Sequence, residues 1–144
     1  MSPTDENTSL EEIPREECLE LLNACPVGRF AVATPGAPPL VVPVNYLLDD
    51  EVILFRTDPG EKLFQLRGSP VSFQVDQIDP HRHTGWTVLV QGVAYEATPK
   101  EVEHLVLETW APGDKVHWIR IVPSAITGRR IRLPQLPTDG RAYL

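Results

Sequence analysis

The sequence is poor in basic residues and has no long hydrophobic run. Its 13 Lys and Arg against 20 Asp and Glu leave a formal net charge of −7. Binding to the phosphate backbone of nucleic acid needs the opposite balance, so we expect no nucleic-acid partner. No apolar stretch approaches the roughly 20 residues that a membrane-spanning helix requires, and we expect no membrane association. The polar and acidic first residues lack the layout of a signal peptide, which predicts a cytoplasmic protein.

Cysteine is scarce as well. The two cysteines, Cys18 and Cys25, are too few for a disulfide framework or a four-ligand zinc site. They lie two turns apart in a predicted helix, too far for a disulfide within it, so we interpret both as core thiols. His81 and His83 could share one face of an extended chain, but no third ligand is evident beside the turn signal at residues 79–80. The sequence therefore predicts a solvated loop there and no metal site.

What is present is the composition of a globular domain. Hydrophobic residues make up 42% and charged residues 23% of the 144 residues, which is enough for one domain with its own core. We predict a disordered lead-in over residues 1–8, a single domain over residues 9–133 and a Pro-rich tail over residues 134–144.

Period-two alternation and turn signals predict a mainly β fold. Strands are expected over residues 28–34, 40–48, 51–57, 71–79, 86–97, 116–122 and 126–133, and helices over residues 9–25, 61–67 and 100–109. The first helix would begin at Ser9 as its N-cap, with Glu12 completing a capping box. The run 40–48 is apolar, as in a strand covered on both faces, and Gly92 is expected to form a bulge. Short connections favour an antiparallel sheet that closes into a β-barrel with peripheral helices.

One stretch of the chain carries charge in a pattern that suits a phosphate. A predicted strand ends in Arg56 and Thr57, and a turn at Gly60 then presents Lys62. Arg offers planar bidentate donors, Lys a compact charge and Thr a hydroxyl, which together suit a dianionic phosphate. Because the chain as a whole is acidic, this local group of cations is not a by-product of composition.

Five segments, among them the one just described, occur in order along the chain: Val27-Gly28-Arg29-Phe30, Pro43-Val44-Asn45-Tyr46, Phe55-Arg56-Thr57 with Gly60 and Lys62, Phe73-Gln74-Val75-Asp76, and Trp86-Thr87-Val88-Leu89-Val90-Gln91-Gly92. In this order and spacing the chain resembles, from about Leu10 to Ile131, the pyridoxamine 5'-phosphate oxidase-like family of FMN-binding split β-barrels. It is most similar to the small branch that also resembles nitroimidazole reductases.

The resemblance implies which residues would hold FMN, the implied cofactor. By this likeness the flavin ring would lie beside Pro43, Val44 and Asn45. The phosphate would be held by Phe55, Arg56 and Thr57 with the turn to Lys62 and Leu63. The second subunit of a homodimer would contribute Trp86, Thr87 and Val88. Arg129 would meet the phosphate or a carboxylated substrate. Taken singly, the same residues also have structural interpretations, namely a backbone hydrogen bond for Asn45, core or interface for Trp86, and exposed charge for Arg56, Lys62 and Arg129.

The resemblance therefore implies an FMN-dependent oxidoreductase acting on a small organic or nicotinamide substrate, with flavin sites at the interface of a homodimer. The chain differs from the vitamin B6 oxidases at Glu61, where they tend to carry a small polar residue, and it lacks a match to their C-terminal substrate-binding residues. Oxidation of vitamin B6 phosphates is therefore not the first choice. Three alternatives stay open: a non-catalytic flavin-binding or storage protein, a deazaflavin-binding barrel, and a haem-binding barrel with His117 or another histidine as axial ligand.

Overall fold

The computed structural model describes residues 9–58, 66–113 and 115–132. In chain order the elements of these residues are β1 (Ser9–Ile13), α1 (Arg15–Ala24), β2 (Val27–Val32), β3 (Leu40–Asp49), β4 (Val52–Thr57), β5 (Arg67–Asp79), β6 (Thr84–Glu96), α2 (Pro99–Val102) and β7 (His117–Arg132). Within this described part, neither helix has the length and apolar character needed to cross a membrane. The predicted lead-in and tail lie outside the described residues.

The strands form one closed antiparallel barrel. They pair in the order β7-β4-β3-β2-β5-β6, and β6 pairs back with β7, which closes a ring of six strands. β1 is added along the second half of β7, where Ser9 pairs with Arg132 and Ile13 with Gly128. The interior is filled by side chains that alternate inward along the strands; Phe30, Phe55 and Phe73 are fully buried. The prediction of a mainly β barrel with peripheral helices is confirmed.

The bulge predicted at Gly92 is present. The register of β6 and β7 shifts just before Gly92, which lies opposite Pro123. A Cβ at position 92 would lie only 2.1 Å from the carbonyl oxygen of Val122, so the two strands can approach this closely only at a glycine. Pro123 lies within β7, and the two strands predicted over 116–122 and 126–133 are in fact one continuous strand.

The N-terminal helix was predicted to begin too early. Ser9 lies in β1, and α1 begins only after Pro14, without a side-chain cap, so the proposed capping box of Ser9 and Glu12 is wrong. Pairing with β7 gives residues 9–13 ladder hydrogen bonds and buries Ile13. Such long-range pairing overrides local helix signals. Pro14 fits just ahead of a helix because that position needs no N–H donor.

Two other expectations from the sequence also fail. The helix predicted over residues 100–109 is one turn, Pro99–Val102, closed by a capping box between Thr98 and Glu101, and the chain beyond Glu103 is irregular. β3 is not covered on both faces within one chain, since the Val41 side chain is 58% exposed. Of the helix predicted over residues 61–67, positions 61–65 lie outside the described residues and Arg67 is the first residue of β5.

Candidate functional site

The barrel wall opens where β3 and β4 part. Their ladder runs from the pair Asp49–Val52 to the pair Tyr46–Phe55 and ends there. Asn45 and Arg56 are the next residues on the two strands, and Thr57 follows at the end of β4. The structure therefore brings Asn45, Arg56 and Thr57 together at one place, which we call the β3–β4 opening.

The Arg56 side chain is half-buried and fixed by backbone carbonyls. Its Nε donates to the Lys115 carbonyl oxygen at 2.8 Å, and its Nη1 donates to the Leu107 carbonyl oxygen at 2.9 Å. The guanidinium also lies 5.8 Å from the ring centre of Trp118, its neighbour across β4 and β7. Two carbonyls and an aromatic ring hold the planar fork in one orientation, so its remaining N–H groups have a defined direction.

The carbonyl partners of Arg56 belong to an irregular stretch that also binds Asn45. We call residues 105–113 together with 115–116 the crossing segment. The Asn45 Nδ2 donates to the Pro26 carbonyl at 3.1 Å, and its Oδ1 accepts from the backbone N–H of Trp110 at 2.8 Å. The structural interpretation of Asn45, a hydrogen bond to backbone, is therefore confirmed. The amide holds the crossing segment against the β3–β4 opening.

Three more polar groups surround the end of β4. Thr57 is 3% exposed and its hydroxyl donates to the Asp58 carbonyl at 3.4 Å. The Lys115 ammonium lies 2.9 Å from an Asp58 carboxylate oxygen. His117 pairs with Thr57 across the sheet, and its Nδ1 lies 2.5 Å from a carboxylate oxygen of Glu96. A guanidinium, a hydroxyl and an ammonium thus belong to residues at one strand end, with the side chains of Arg56 and Thr57 on opposite faces of β4.

A cavity adjoins this strand end. Its volume is about 660 Å³, and its walls include Val102, Val116, His117 and Trp118. The walls are mainly apolar and the His117–Glu96 pair adds a polar group at one side. A site with this size and lining suits a small organic molecule.

The other residues that were predicted to contact the flavin ring or its phosphate from β3 and β4 differ in their exposure. Pro43 is exposed and Val44 half-buried on the part of β3 beyond the ladder. Phe55 is fully buried and packs on Phe30 with ring centres 4.9 Å apart, so its side chain is core. Lys62 and Leu63, with Gly60 and Glu61, lie outside the described residues.

The residues predicted to reach the flavin from the second subunit, together with Arg129, lie on β6 and β7. Trp86 is half-buried against the core, Val88 is fully buried, and the Thr87 hydroxyl accepts from Gln74 Nε2 at 2.8 Å. Thr87 pairs with Arg129, which is exposed. Of the neighbouring arginines, Arg130 forms an ion pair with Glu17, and Arg132 forms one with Glu11 at 2.9 Å.

Within one chain, the residues at the β3–β4 opening lie apart from the predicted site residues on β6 and at the end of β7. Arg56 pairs with Trp118 near the start of β7, whereas Arg129 lies 11 residues further along the same strand. At about 3.3 Å per residue, Trp118 and Arg129 are roughly 35 Å apart as measured along the strand. One chain therefore does not bring Arg129 to Arg56.

Cys18 and the loop that carries His81 and His83 behave as predicted, whereas Cys25 follows the last residue of α1 and is half-buried against the core. Cys18 is buried, and burial, helped by the nearby Glu17 carboxylate, raises the pKa of its thiol. Burial likewise raises the pKa of Cys25, so neither is activated as a nucleophile. His81 and His83 are exposed in the turn between β5 and β6. In the described part of the chain, no three His, Cys, Asp or Glu side chains cluster as a metal site would require.

Sequence reasoning missed Asp58, Trp110 and Lys115. The Trp110-Ala111-Pro112-Gly113 stretch signals a turn, and an aromatic residue beside a turn is a feature worth testing. No pattern of neighbouring residues indicates that Trp110 binds Asn45, which is 65 residues away in the chain, or that Lys115 binds Asp58, which is 57 residues away. Those contacts arise only when the barrel closes.

Comparison with known proteins agrees with this architecture. An uncharacterised protein of Mycobacterium tuberculosis is 34% identical over 83% of this chain and 84% of its own length. Among solved structures, a candidate pyridoxamine 5'-phosphate oxidase from Corynebacterium glutamicum is 30% identical with a TM-score of 0.72, covering 85% of this chain and 98% of that one. A structure of the FAD binding protein from Mycobacterium smegmatis is 29% identical with a TM-score of 0.65, covering 86% and 100%.

The family itself is defined by a sequence model that spans most of the barrel. The model described as pyridoxamine 5'-phosphate oxidase matches residues 14–130, from the start of α1 almost to the end of β7. The chain belongs to the pyridoxamine 5'-phosphate oxidase family.

Proposed function

We propose that this protein binds FMN and acts as an FMN-dependent oxidoreductase on a small organic or nicotinamide substrate. The observation that carries the proposal is the guanidinium of Arg56, held in one orientation by two backbone carbonyls at the β3–β4 opening. The Mycobacterium smegmatis relative, described as an FAD binding protein, supports a flavin as the cofactor.

The residues at the opening have the chemistry that a flavin phosphate needs. Arg56 has five N–H donors, and two of them bind carbonyls in the described part of the chain. None of the described residues accepts a hydrogen bond from the other three donors, and Lys115, whose carbonyl binds the Arg56 Nε, also carries an ammonium. Charge-assisted hydrogen bonds of this kind are among the stronger contacts that a phosphate can make.

The protein's part in the reaction is binding and orientation. A bound flavin would supply the hydride or electron chemistry itself. Arg56 and Thr57 would hold the phosphate, the part of β3 at Pro43 and Val44 would lie beside the ring, and the adjoining cavity would admit a small substrate. The rival, a non-catalytic flavin-binding protein, is supported by the same Mycobacterium smegmatis relative, which is described by its binding alone.

We also propose a homodimer whose flavin sites lie between the subunits. Arg129 lies about 35 Å along β7 from Trp118, the residue that pairs with Arg56, so both arginines can serve one site only if Arg129 comes from the partner. The exposed Val41 on β3 and the edge of β3 that extends beyond its ladder with β4 favour such a pairing.

We propose that the dimer is located in the cytoplasm, whose reducing conditions suit the free cysteines Cys18 and Cys25.

We expect the purified protein to have twice the 16.1 kDa mass of one chain in light scattering at micromolar concentration. The physical reason is the apolar face and strand edge that a single barrel leaves exposed. A monomeric mass, found together with full flavin binding, would remove the basis for a shared site.

We expect reduced nicotinamide to bleach the bound flavin, and an added acceptor to restore its colour. Arg129, exposed on β7, is the proposed contact for the anionic part of the dinucleotide, so Arg129→Gln should slow bleaching by about tenfold with FMN affinity nearly unchanged. Stopped-flow absorption measures the rate, and FMN titration measures the affinity.

The control for Arg129 is Arg132→Gln, which removes another exposed arginine at the end of β7. Equal slowing in both variants would contradict a specific role for Arg129, and loss of FMN itself would move Arg129 into the phosphate site. If FMN binds tightly and no nicotinamide, deazaflavin or nitroaromatic couple turns it over, the binding-protein alternative holds. A haem absorption band in place of a flavin spectrum would overturn the cofactor.

A further inference from the structure

Lys115 is a lysine in an unusual position for this residue type. Its side chain is 14% exposed, whereas lysine side chains are mostly exposed in folded proteins. The ammonium lies 2.9 Å from the Asp58 carboxylate, which is 29% exposed. Removing an ammonium from water is unfavourable unless it is paired, and the ion pair with Asp58 offsets that cost for Lys115.

The ion pair lies directly beside the proposed phosphate contacts. Asp58 follows Thr57 in the chain, and the Lys115 carbonyl accepts the Arg56 Nε hydrogen bond at 2.8 Å. The ammonium, the guanidinium and the hydroxyl therefore belong to residues that touch one another. They come from two segments of the chain, the end of β4 and the end of the crossing segment.

The backbone next to Lys115 is shaped to keep this pair close. Gly113 has a φ of +126°, which side-chain-bearing residues rarely adopt. A Cβ at that position would lie 3.3 Å from the Asp58 carboxylate oxygen and 3.7 Å from the Lys115 ammonium. The glycine thus allows the backbone of the crossing segment to pack closely on the ion pair, whereas a side chain at this position would crowd the Asp58 carboxylate.

We propose that Lys115 is an anion-binding residue of this site, and that the phosphate monoester of the cofactor takes the place of the Asp58 carboxylate on its ammonium. The proposal rests on the proposed flavin function and adds a residue to it. A phosphate monoester carries nearly two negative charges and three acceptor oxygens, against one charge on a carboxylate. Such an anion, already held by Arg56, competes well for a neighbouring ammonium.

The test compares FMN with riboflavin, which lacks the phosphate. In Lys115→Met, FMN affinity should fall by at least about tenfold and riboflavin affinity should stay within about twofold. Lys115→Arg, which keeps the charge, should retain most of the FMN preference. Lys100→Met is the matched control, because Lys100 is exposed on α2, and it should leave both affinities unchanged. Binding is measured by quenching of flavin fluorescence.

Two variants of Asp58 test the exchange of partners. Asp58→Asn should bind FMN several-fold more tightly than the wild type, because the ammonium no longer has a competing carboxylate. The double variant Asp58→Asn, Lys115→Met removes the ion pair without leaving a buried charge, so it should fold even if Lys115→Met does not. Its FMN preference should be as weak as that of Lys115→Met.

The outcomes separate this proposal from the proposed function. An unchanged ratio of FMN to riboflavin affinity in Lys115→Met and in the double variant overturns the role of Lys115 while leaving flavin binding intact. An Asp58→Asn variant with no gain in FMN affinity overturns the exchange. If the wild type binds neither flavin, the proposed function fails, and inorganic phosphate becomes the probe. Thermal protection by phosphate that is lost in Lys115→Met still supports the anion site, and equal or absent protection overturns it.

Discussion

Replacing Arg56 with alanine should weaken FMN binding by at least about tenfold and weaken riboflavin binding far less. The guanidinium of Arg56 is a planar cationic donor at the β3–β4 opening, and its orientation is set by the Lys115 and Leu107 carbonyls and by Trp118. Only the phosphate of FMN can gain from it, because riboflavin has no anionic group to contact. Parallel titrations of the two ligands, each followed by flavin fluorescence, measure the difference.

Two further variants show whether a loss of FMN affinity in Arg56→Ala reports a lost phosphate contact or a displaced crossing segment. Arg120→Ala removes an arginine of β7 that also lies over an aromatic ring, 5.3 Å from the centre of Tyr95, and it should leave the ratio of FMN to riboflavin affinity unchanged. Arg56→Lys keeps a charge but cannot bind two carbonyls with a planar fork, so its loss should be intermediate. If Arg56→Ala weakens both flavins equally, Arg56 acts only by holding the crossing segment and the phosphate assignment is wrong.

Replacing Phe73 with alanine should lower the free energy of unfolding by about 3–5 kcal/mol. Phe73 is fully buried at the centre of β5, and its ring meets Tyr46 edge-on at 4.8 Å between centres. Small domains have a total stability of about 5–15 kcal/mol, so the variant should unfold at a much lower denaturant concentration or fail to fold at room temperature. The midpoint of urea unfolding, followed by tryptophan fluorescence, measures the change.

The matched control for Phe73 lies five residues along the same strand. Ile78 is 69% exposed, so Ile78→Ala should change the free energy of unfolding by no more than about 0.5 kcal/mol. Similar losses in the two variants would show that the interior of the barrel is not the main source of stability. A loss confined to Phe73→Ala agrees with burial as the dominant contribution.

Local patterns predict those parts of the fold that depend on neighbouring residues. The alternation of Val71, Phe73 and Val75 with polar residues predicts β5, and those three side chains are buried as expected. The glycine at position 92 predicts the bulge. The patterns fail at Ser9, where pairing with the end of β7 turns a helix-like segment into a strand. Ser9 pairs with Arg132, 123 residues further along the chain, and a pattern of neighbouring residues carries no information about such a partner.

The amino-acid sequence by itself determined the class of fold and the chemistry at the end of β4. Period-two hydrophobicity with short turns can hardly be satisfied except by an antiparallel sheet, and Arg56 and Thr57 are adjacent in the chain, so their joint presence there needs no tertiary information. The resemblance in five ordered segments added the family, which the comparison confirms.

Only the tertiary structure decided what surrounds those two residues. The crossing segment reaches Arg56 from 51 and 59 positions away and Asn45 from 65 positions away, and Lys115 meets Asp58 across 57. The closure of the barrel also puts Arg129 at the far end of β7, away from Arg56. The physical reason is that hydrophobic periodicity depends on near neighbours in the chain, whereas side-chain partners depend on which strands pair and in which register.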